Sequence, residues 1–403
     1  SRPVSPSLMI STAPPAALDI LVHSAVEPEP FGRVIIEGMA ARVPVIASAA
    51  GGAVEIISDG ETGLLTPTGD IGALAAALDR LLRDPAQRAA NWDSVFRTVR
   101  QPDWWQGDDK YHPPAYSEPV SDLERRLRAG EFVVTAEVAP PLSTATGKLG
   151  QNIDLVKPYV AAVNFTDNPS ATARMSSLAC STIALQHGAE PVMQMQGRDR
   201  TRATLQSEIL GASALGVRNV LVLSGDSGRM GPPPLGRLDI VDLDAVQMLW
   251  VLRRMRDEGH YLDGRPIKFP PKVFLGAAAA PFASRPEFQA LREHKKVNAG
   301  AQFVQTQPIF DYNHFVEWLE ALDQRNLLDK VYVLAGVIPL KSAKAAHFMA
   351  EEVAGVYIPP EIVKRMDAAG DDKLAQQETG VAIALEMIEK LKNTPKIAGM
   401  HVM

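Results

Sequence analysis

The chain of 403 residues has a single cysteine, Cys180, which excludes a disulfide framework and any multi-cysteine zinc site and fits a reducing compartment. It has no uninterrupted apolar run of the ~18 to 20 residues that a membrane-spanning helix needs. The opening stretch, "SRPVSPSLMI", lacks the charged-then-apolar order of a signal peptide, so a cytoplasmic setting and no membrane partner are expected. It also lacks an initiator Met and starts in mid-pattern, as a fragment would. No excess of positive charge is present: 41 Lys plus Arg stand against 47 Asp plus Glu, and the net charge of -6 offers no general attraction to nucleic acid. Lysine is absent from residues 1 to 90 and frequent from Lys110 onward, a shift that predicts two segments with different histories. No G-x-G-x-x-G turn follows an early strand, which speaks against an open dinucleotide-binding sheet.

What is present has a repeating order. From residue 121 the runs "FVVTAEV", "AAVNFTD", "PVMQMQG", "NVLVLSG", "KVFLGAAAA", "QFVQTQPI", "KVYVLAGVIP" and "IAGMHVM" read as strands, separated mostly by segments of helical period such as "DLDAVQMLWVLRRMRDEG". Alternating strands and helices imply parallel pairing with right-handed crossovers, and eight such units over about 285 residues match a closed (β/α)8 barrel. The expected fold class is thus α/β: a TIM barrel over residues 121–403. An open doubly wound sheet is the alternative. "IAGMHVM" runs straight to Met403, so the last helix of the barrel is expected to be lacking. Upstream, residues 91–120 read as a linker rich in Pro and charge, with Trp104 and Trp105 available to pin it, and residues 1–90 as a partial Rossmann-like α/β segment.

Barrel chemistry gathers where strands end at their C-terminal side. Polar residues at those ends are Glu137; Thr166, Asp167 and Asn168; Gln194 and Gln196; Ser224 and Asp226; Gln305 and Gln307. "FVVTAEVAPP", residues 132 to 141, raises the sharpest question, because it places a carboxylate where a buried strand runs out.

The motifs "TAEVAPP", "VNFTDNPSA", "VLVLSGD", "FLGAAAAPF" and "KKVNAGAQFVQTQPIFD", in this order, resemble the flavin-dependent methylenetetrahydrofolate reductase family over about 121–403. The resemblance implies a barrel that binds FAD, with FMN as the other option. It also implies conversion of 5,10-methylenetetrahydrofolate to 5-methyltetrahydrofolate in the one-carbon metabolism that serves methionine biosynthesis. The matching Glu137 is then the general acid. Protonation of a departing ring nitrogen at neutral pH suits an acid raised by an apolar setting, for which Ala136 and Val138 are the sequence neighbours; a rim Glu paired with a lysine is the structural alternative. Asp226 and Gln307 match folate-binding positions, and Thr166, Gln194, Ser224, Asp226, Ala278, Ala280, Arg285 and Lys296 match flavin-binding ones. Gly225 would permit close ring approach, and Arg285 and Lys296 would meet a pyrophosphate.

Several positions depart from the family pattern. Some relatives place His at Gln194, Arg at Ser224 and Tyr at Ala280. Ala343 stands where users of pyridine nucleotide carry a stacking Phe, so the electron donor is either NADH or NADPH or a partner electron-transfer protein. "GRDRTR", residues 197 to 202, reads as basic groups beside the third strand or as a solvated turn. No metal site is expected, and a homo- or hetero-oligomer is compatible with the chain. The alternative to a reductase is a non-catalytic or partner-dependent barrel subunit of a one-carbon or redox complex.

In the first segment Glu29 and Glu37 are eight apart, and "EPFG", "GG" and "DGETGLL" accompany them. This resembles the C-terminal half of a family-four glycosyltransferase of the GT-B type, whose second Glu binds the nucleotide ribose. Such an enzyme works between two domains, so a nucleotide-sugar glycosyltransferase remnant or a fusion artefact is expected here, and a working transferase is the rival reading.

Overall fold

A computed structural model describes residues 20–24, 33–40, 43–57, 59–60, 62–83, 110–226, 242–283, 285–353 and 355–403. Two compact units divide the chain at Gln106 and Gly107.

In the first unit, β1 (Leu21–His23), β2 (Val45–Ser48) and β3 (Leu64–Thr66) form a parallel sheet in that order. Helices α1 (Arg33–Ala40), α2 (Ala53–Ile56) and α3 (Ile71–Arg83) alternate with the strands. Strands and helices together bury Leu21, Ile35, Met39 and Val45 in one cluster and Ile46, Leu64 and Leu81 in another. A partial Rossmann-like α/β segment is what its sequence implies and what forms.

The second unit is a closed barrel of eight parallel strands in chain order. They are β4 (Val133–Glu137), β5 (Ala162–Phe165), β6 (Pro191–Gln196), β7 (Asn219–Leu223), β8 (Phe274–Ala279), β9 (Phe303–Pro308), β10 (Tyr332–Val337) and β11 (Ile397–Val402), with β11 closing onto β4. All eight strands expected from the apolar runs are present. The helices between them are α5 (Gly147–Val156), α6 (Ser177–Gln186), α7 (Arg202–Ala214), α8 (Ala245–Arg253), α9 (Pro286–Ala299) and α10 (Tyr312–Asp323), then α11 (Ala343–Glu352), α12 (Pro360–Ala368) and α13 (Lys373–Lys392). An Asp244–Gln247 capping box starts α8, which widens into a π-helical turn at Arg254–Glu258 and stops at Gly259, where φ is 65°.

Helix α4 (Asp122–Arg128) plugs the N-terminal mouth of the barrel. Leu123 and Leu127 meet the inward residues Val133, Val192, Phe274, Phe303 and Leu334 there; each fully buried leucine contributes about 1.5–3 kcal/mol. Phe303 needs a glycine opposite: a Cβ on Gly276 would lie 2.3 Å from its ring. The segment before α4 is tied to the same end of the barrel. Tyr116 exchanges hydrogen bonds with the Gln302 amide, and Arg128 and Arg256 lie over its ring at 5.5 and 5.3 Å.

Outward residues report where helices cover the barrel. Val163, Phe165, Val220, Val222 and Leu275 are fully buried, whereas Val134 and Val402, on the neighbouring strands β4 and β11, are only half-buried. Helix α13 packs on β10 and β11 and keeps Met400 covered.

Candidate functional site

Strand alternation aims residues 133, 135 and 137 of β4 into the barrel and residues 134, 136 and 138 outward. Above the apolar base lies a polar layer. Asn164 donates to Gln305 Oε1 (2.5 Å), and Gln305 Nε2 donates to Asn164 Oδ1 and to Thr135 Oγ1, both at 3.2 Å. Thr135 Oγ1 lies 3.0 Å from His401 Nδ1. All four side chains are buried, and these mutual hydrogen bonds are what make that burial tolerable.

Glu137 stands one level higher, its side chain about one-quarter exposed (25%). Its Oε2 accepts from Gln194 Nε2 at 3.4 Å and lies 3.9 Å from His401 Nε2. The apolar flank expected from Ala136 and Val138 is not what the carboxylate meets, because both point outward; Val138 packs with Leu149, Ile153 and Val163. An amide and an imidazole face it instead. Around it a cavity of about 240 Å³ is lined by Thr166, Asp226, Ala278, Gln307 and Met403, among others. Thr166 Oγ1 is buried and has no hydrogen-bond partner.

Asp167 and the "GRDR" turn form a buried charge network beside this cavity. Arg200 reaches Asp167 and Glu208, and Gln196 N donates to Asp167 Oδ2 at 3.1 Å. Burial pushes the Asp167 carboxyl above its usual range against the pull of Arg200. Burial also works to lower Arg200, but Asp167 and Glu208 outweigh it and its pKa is raised. The two directions disagree on what the pair contributes; desolvation of a carboxylate 3% exposed is the stronger effect, and Arg200 is what makes the burial tolerable. The hydrogen bonds of Arg198 hold Asp199 below the ordinary carboxylate range. The two arginines Arg198 and Arg200 of the turn are therefore buried and paired, while Asp199 and Thr201 face solvent.

The positions carried over for a flavin divide in two. Thr166, Gln194, Asp226 and Ala278 converge on the cavity together with Glu137 and Gln307. Ser224 is exposed, and its carbonyl accepts from Arg198 N. Ala280 faces the Gly355 turn. Arg285 is exposed at the start of α9, and Lys296 donates to Ala278 O (2.6 Å) and pairs with Glu293 (2.9 Å). Gly225 has φ 89°, and the space over it is taken by Gln196 Oε1, 2.3 Å from where a Cβ would be. Ala343 opens α11 against the cluster of Phe310, Leu340 and Ala346. Glu29, Trp104 and Trp105 lie outside the described residues, as does the side chain of Glu37.

Residues 122–403 match the family model for methylenetetrahydrofolate reductase. The chain belongs to this family. Residues 16–94 match the model for glycosyl transferases group 1. Among the reductase relatives, methylenetetrahydrofolate reductase 2 of Schizosaccharomyces pombe is 22% identical over 310 residues, covering 70% of this chain and 44% of its own. The phosphatidyl-myo-inositol mannosyltransferase of Mycobacterium leprae is 43% identical over 76 residues, 19% of this chain and 20% of that one. This methylenetetrahydrofolate reductase family chain thus spans less than half the length of these curated relatives. A Clostridium thermocellum protein solved with two copies of 5-methyl-5,6,7,8-tetrahydrofolic acid aligns at 16% identity and a TM-score of 0.49, over 70% of this chain and 92% of that one.

Sequence reasoning overlooked His401, Thr135 and Asn164 as parts of the site. A signal existed: in "IAGMHVM" the period of two puts His401 on the same face as Gly399 and Met403, the face that turns inward.

Proposed function

We propose that the barrel reduces 5,10-methylenetetrahydrofolate to 5-methyltetrahydrofolate with electrons carried by a flavin, FAD in preference to FMN, in a cytoplasmic setting. The observation that carries this reading is the convergence of Glu137, Asp226 and Gln307 on one cavity at the C-terminal end of the strands. The folate methylene bridge must open to an iminium before hydride can attack it, and the ring nitrogen that departs needs a proton. Glu137 is that proton's source: Gln194 and His401 engage its Oε2, which leaves Oε1 to face the substrate. Asp226 and Gln307 orient the pterin, the amide supplying both a donor and an acceptor.

The orphaned Thr166 hydroxyl, the Gln194 amide and the small Ala278 wall fit the ring of a flavin, and the exposed Arg285 is the matched cation left to meet its phosphates. When bound, the flavin supplies two-electron chemistry, passing hydride to the one-carbon unit. Ala343 offers no ring for a nicotinamide, which favours a partner electron-transfer protein over NADH or NADPH as the donor. In this reading residues 121–403 are the reductase domain, 91–120 its connector, and 1–90 a glycosyltransferase remnant.

The test is the anaerobic absorbance spectrum of the purified protein with and without methyl-tetrahydrofolate. Bleaching of a flavin band on addition supports cofactor, substrate and half-reaction together. A colourless protein that still binds the folate would instead make the barrel a non-catalytic or partner-dependent subunit.

A further inference from the structure

We propose that Arg198 is a positioning residue of the folate subsite, a clasp that holds the rim loops after β5 and β7 at a set distance and so places the Asp226 carboxylate. The inference rests on the reading that Asp226 meets the folate. Arg198 is only 8% exposed although it stands in a turn rich in charge. Its Nη1 donates to Asp226 O (3.0 Å) and its Nη2 to Asn168 O (3.1 Å), so one guanidinium ties two backbone carbonyls from different strand ends. Its other edge is locked by Asp199, which accepts from Nε at 2.9 Å and from Nη2 at 2.8 Å. Four donors are thus used in one plane, a geometry that only arginine's rigid fork provides.

The clasped loop is under backbone strain. Asn168, Ser170 and Ala171 have φ of 44°, 52° and 52°, the left-handed region that side chains other than glycine's seldom adopt. Such a loop persists only if its surroundings hold it. Besides Arg198, Asn168 donates to Asp199 at 3.1 Å, and Ser170 N donates to Asp226 Oδ2 at 2.6 Å. Pro169 of this loop and Asp226 both line the cavity, whereas Arg198 stays behind them. The carboxylate expected to grip the substrate therefore has its backbone set by Arg198 and one oxygen occupied by the loop that Arg198 also holds.

Methyl-tetrahydrofolate binding and its half-reaction are to be compared in the wild type, Arg198→Ala, Arg198→Lys and Asp199→Asn. Arg198→Ala should raise the half-saturating folate concentration roughly tenfold or more, with a smaller change in the limiting rate. Arg198→Lys should fail to restore it, since a point charge cannot span two carbonyls, while millimolar guanidinium added to Arg198→Ala should. Asp199→Asn, at a position 39% exposed, should fold normally and weaken binding to a lesser degree; it carries the test if the alanine variant does not fold. Binding by Arg198→Ala or Arg198→Lys equal to wild type, or an unchanged Asp199→Asn, overturns the proposal and leaves the reductase reading standing. Absence of folate binding by the wild type overturns both.

Discussion

Glu137, the proposed acid, lies at the inward end of β4 beside an amide and an imidazole, and its removal should separate chemistry from folding. Glu137→Gln keeps the shape of the side chain and its contact with Gln194, so melting temperature and flavin content should be retained. Folate turnover should fall roughly 10²- to 10⁴-fold, the usual contribution of a positioned general acid. Parallel loss of turnover and cofactor would assign Glu137 to structure instead. One level below, Thr135 bridges Gln305 and His401. Thr135→Val strands a buried imidazole nitrogen and a buried amide donor, and a cost of about 1–3 kcal/mol is expected in chemical denaturation. A loss below a few tenths of that would mean the polar layer repacks around the change.

At the level of the elements, the ends of β5 and β6 are joined by charge rather than by apolar packing. Arg200 and Asp167 are 8% and 3% exposed, so removing one partner leaves the other buried and uncompensated. Arg200→Ala should therefore destabilise the barrel by about 3–5 kcal/mol, more than the loss of a surface pair could. Asp167→Asn made in the same background should recover part of that loss. Equilibrium unfolding of the single and double variants measures both, and an Arg200→Ala cost under 1 kcal/mol would show that water reaches the pair.

For the whole molecule, the segment ahead of α4 belongs mechanically to the barrel, because Tyr116 is hydrogen-bonded to Gln302 and covered by two guanidinium groups. A chain beginning at residue 107 should keep the folate half-reaction and the melting temperature. One beginning at residue 119 should keep the chemistry per folded molecule but melt lower. Detectable sugar transfer by the full chain, lost in Glu37→Ala, would contradict the assignment of the first 90 residues as a remnant. Tyr116 also ties stability to pH. Burial foremost, with Arg256 opposing, pushes its phenol up to about 12. The unfolded chain releases that proton near pH ~10, so the native state holds more protons between the two values and stability falls as pH rises through that window. Tyr116→Phe should flatten the fall seen in unfolding curves between pH 9 and 12.

The eight barrel strands were legible because their apolar runs are the kind that a sheet buried on both faces demands, and intervening helical periods dictate parallel pairing. The polar strand ends were legible too, since carboxylates and amides have few other reasons to terminate such runs. Sidedness was harder. Ala136 and Val138 flank Glu137 in sequence, yet a strand sends neighbours to opposite faces, so they pack outward while residues far along the chain meet the carboxylate. Thr135 and His401 are 266 residues apart and touch only because β11 pairs with β4 to close the barrel. The turn "GRDR" looks the same in sequence whether solvated or buried. Tertiary structure alone brought the carbonyls of Asn168 and Asp226 within reach of one guanidinium, since hydrogen-bond partners are set by distance across the rim, which no local pattern encodes.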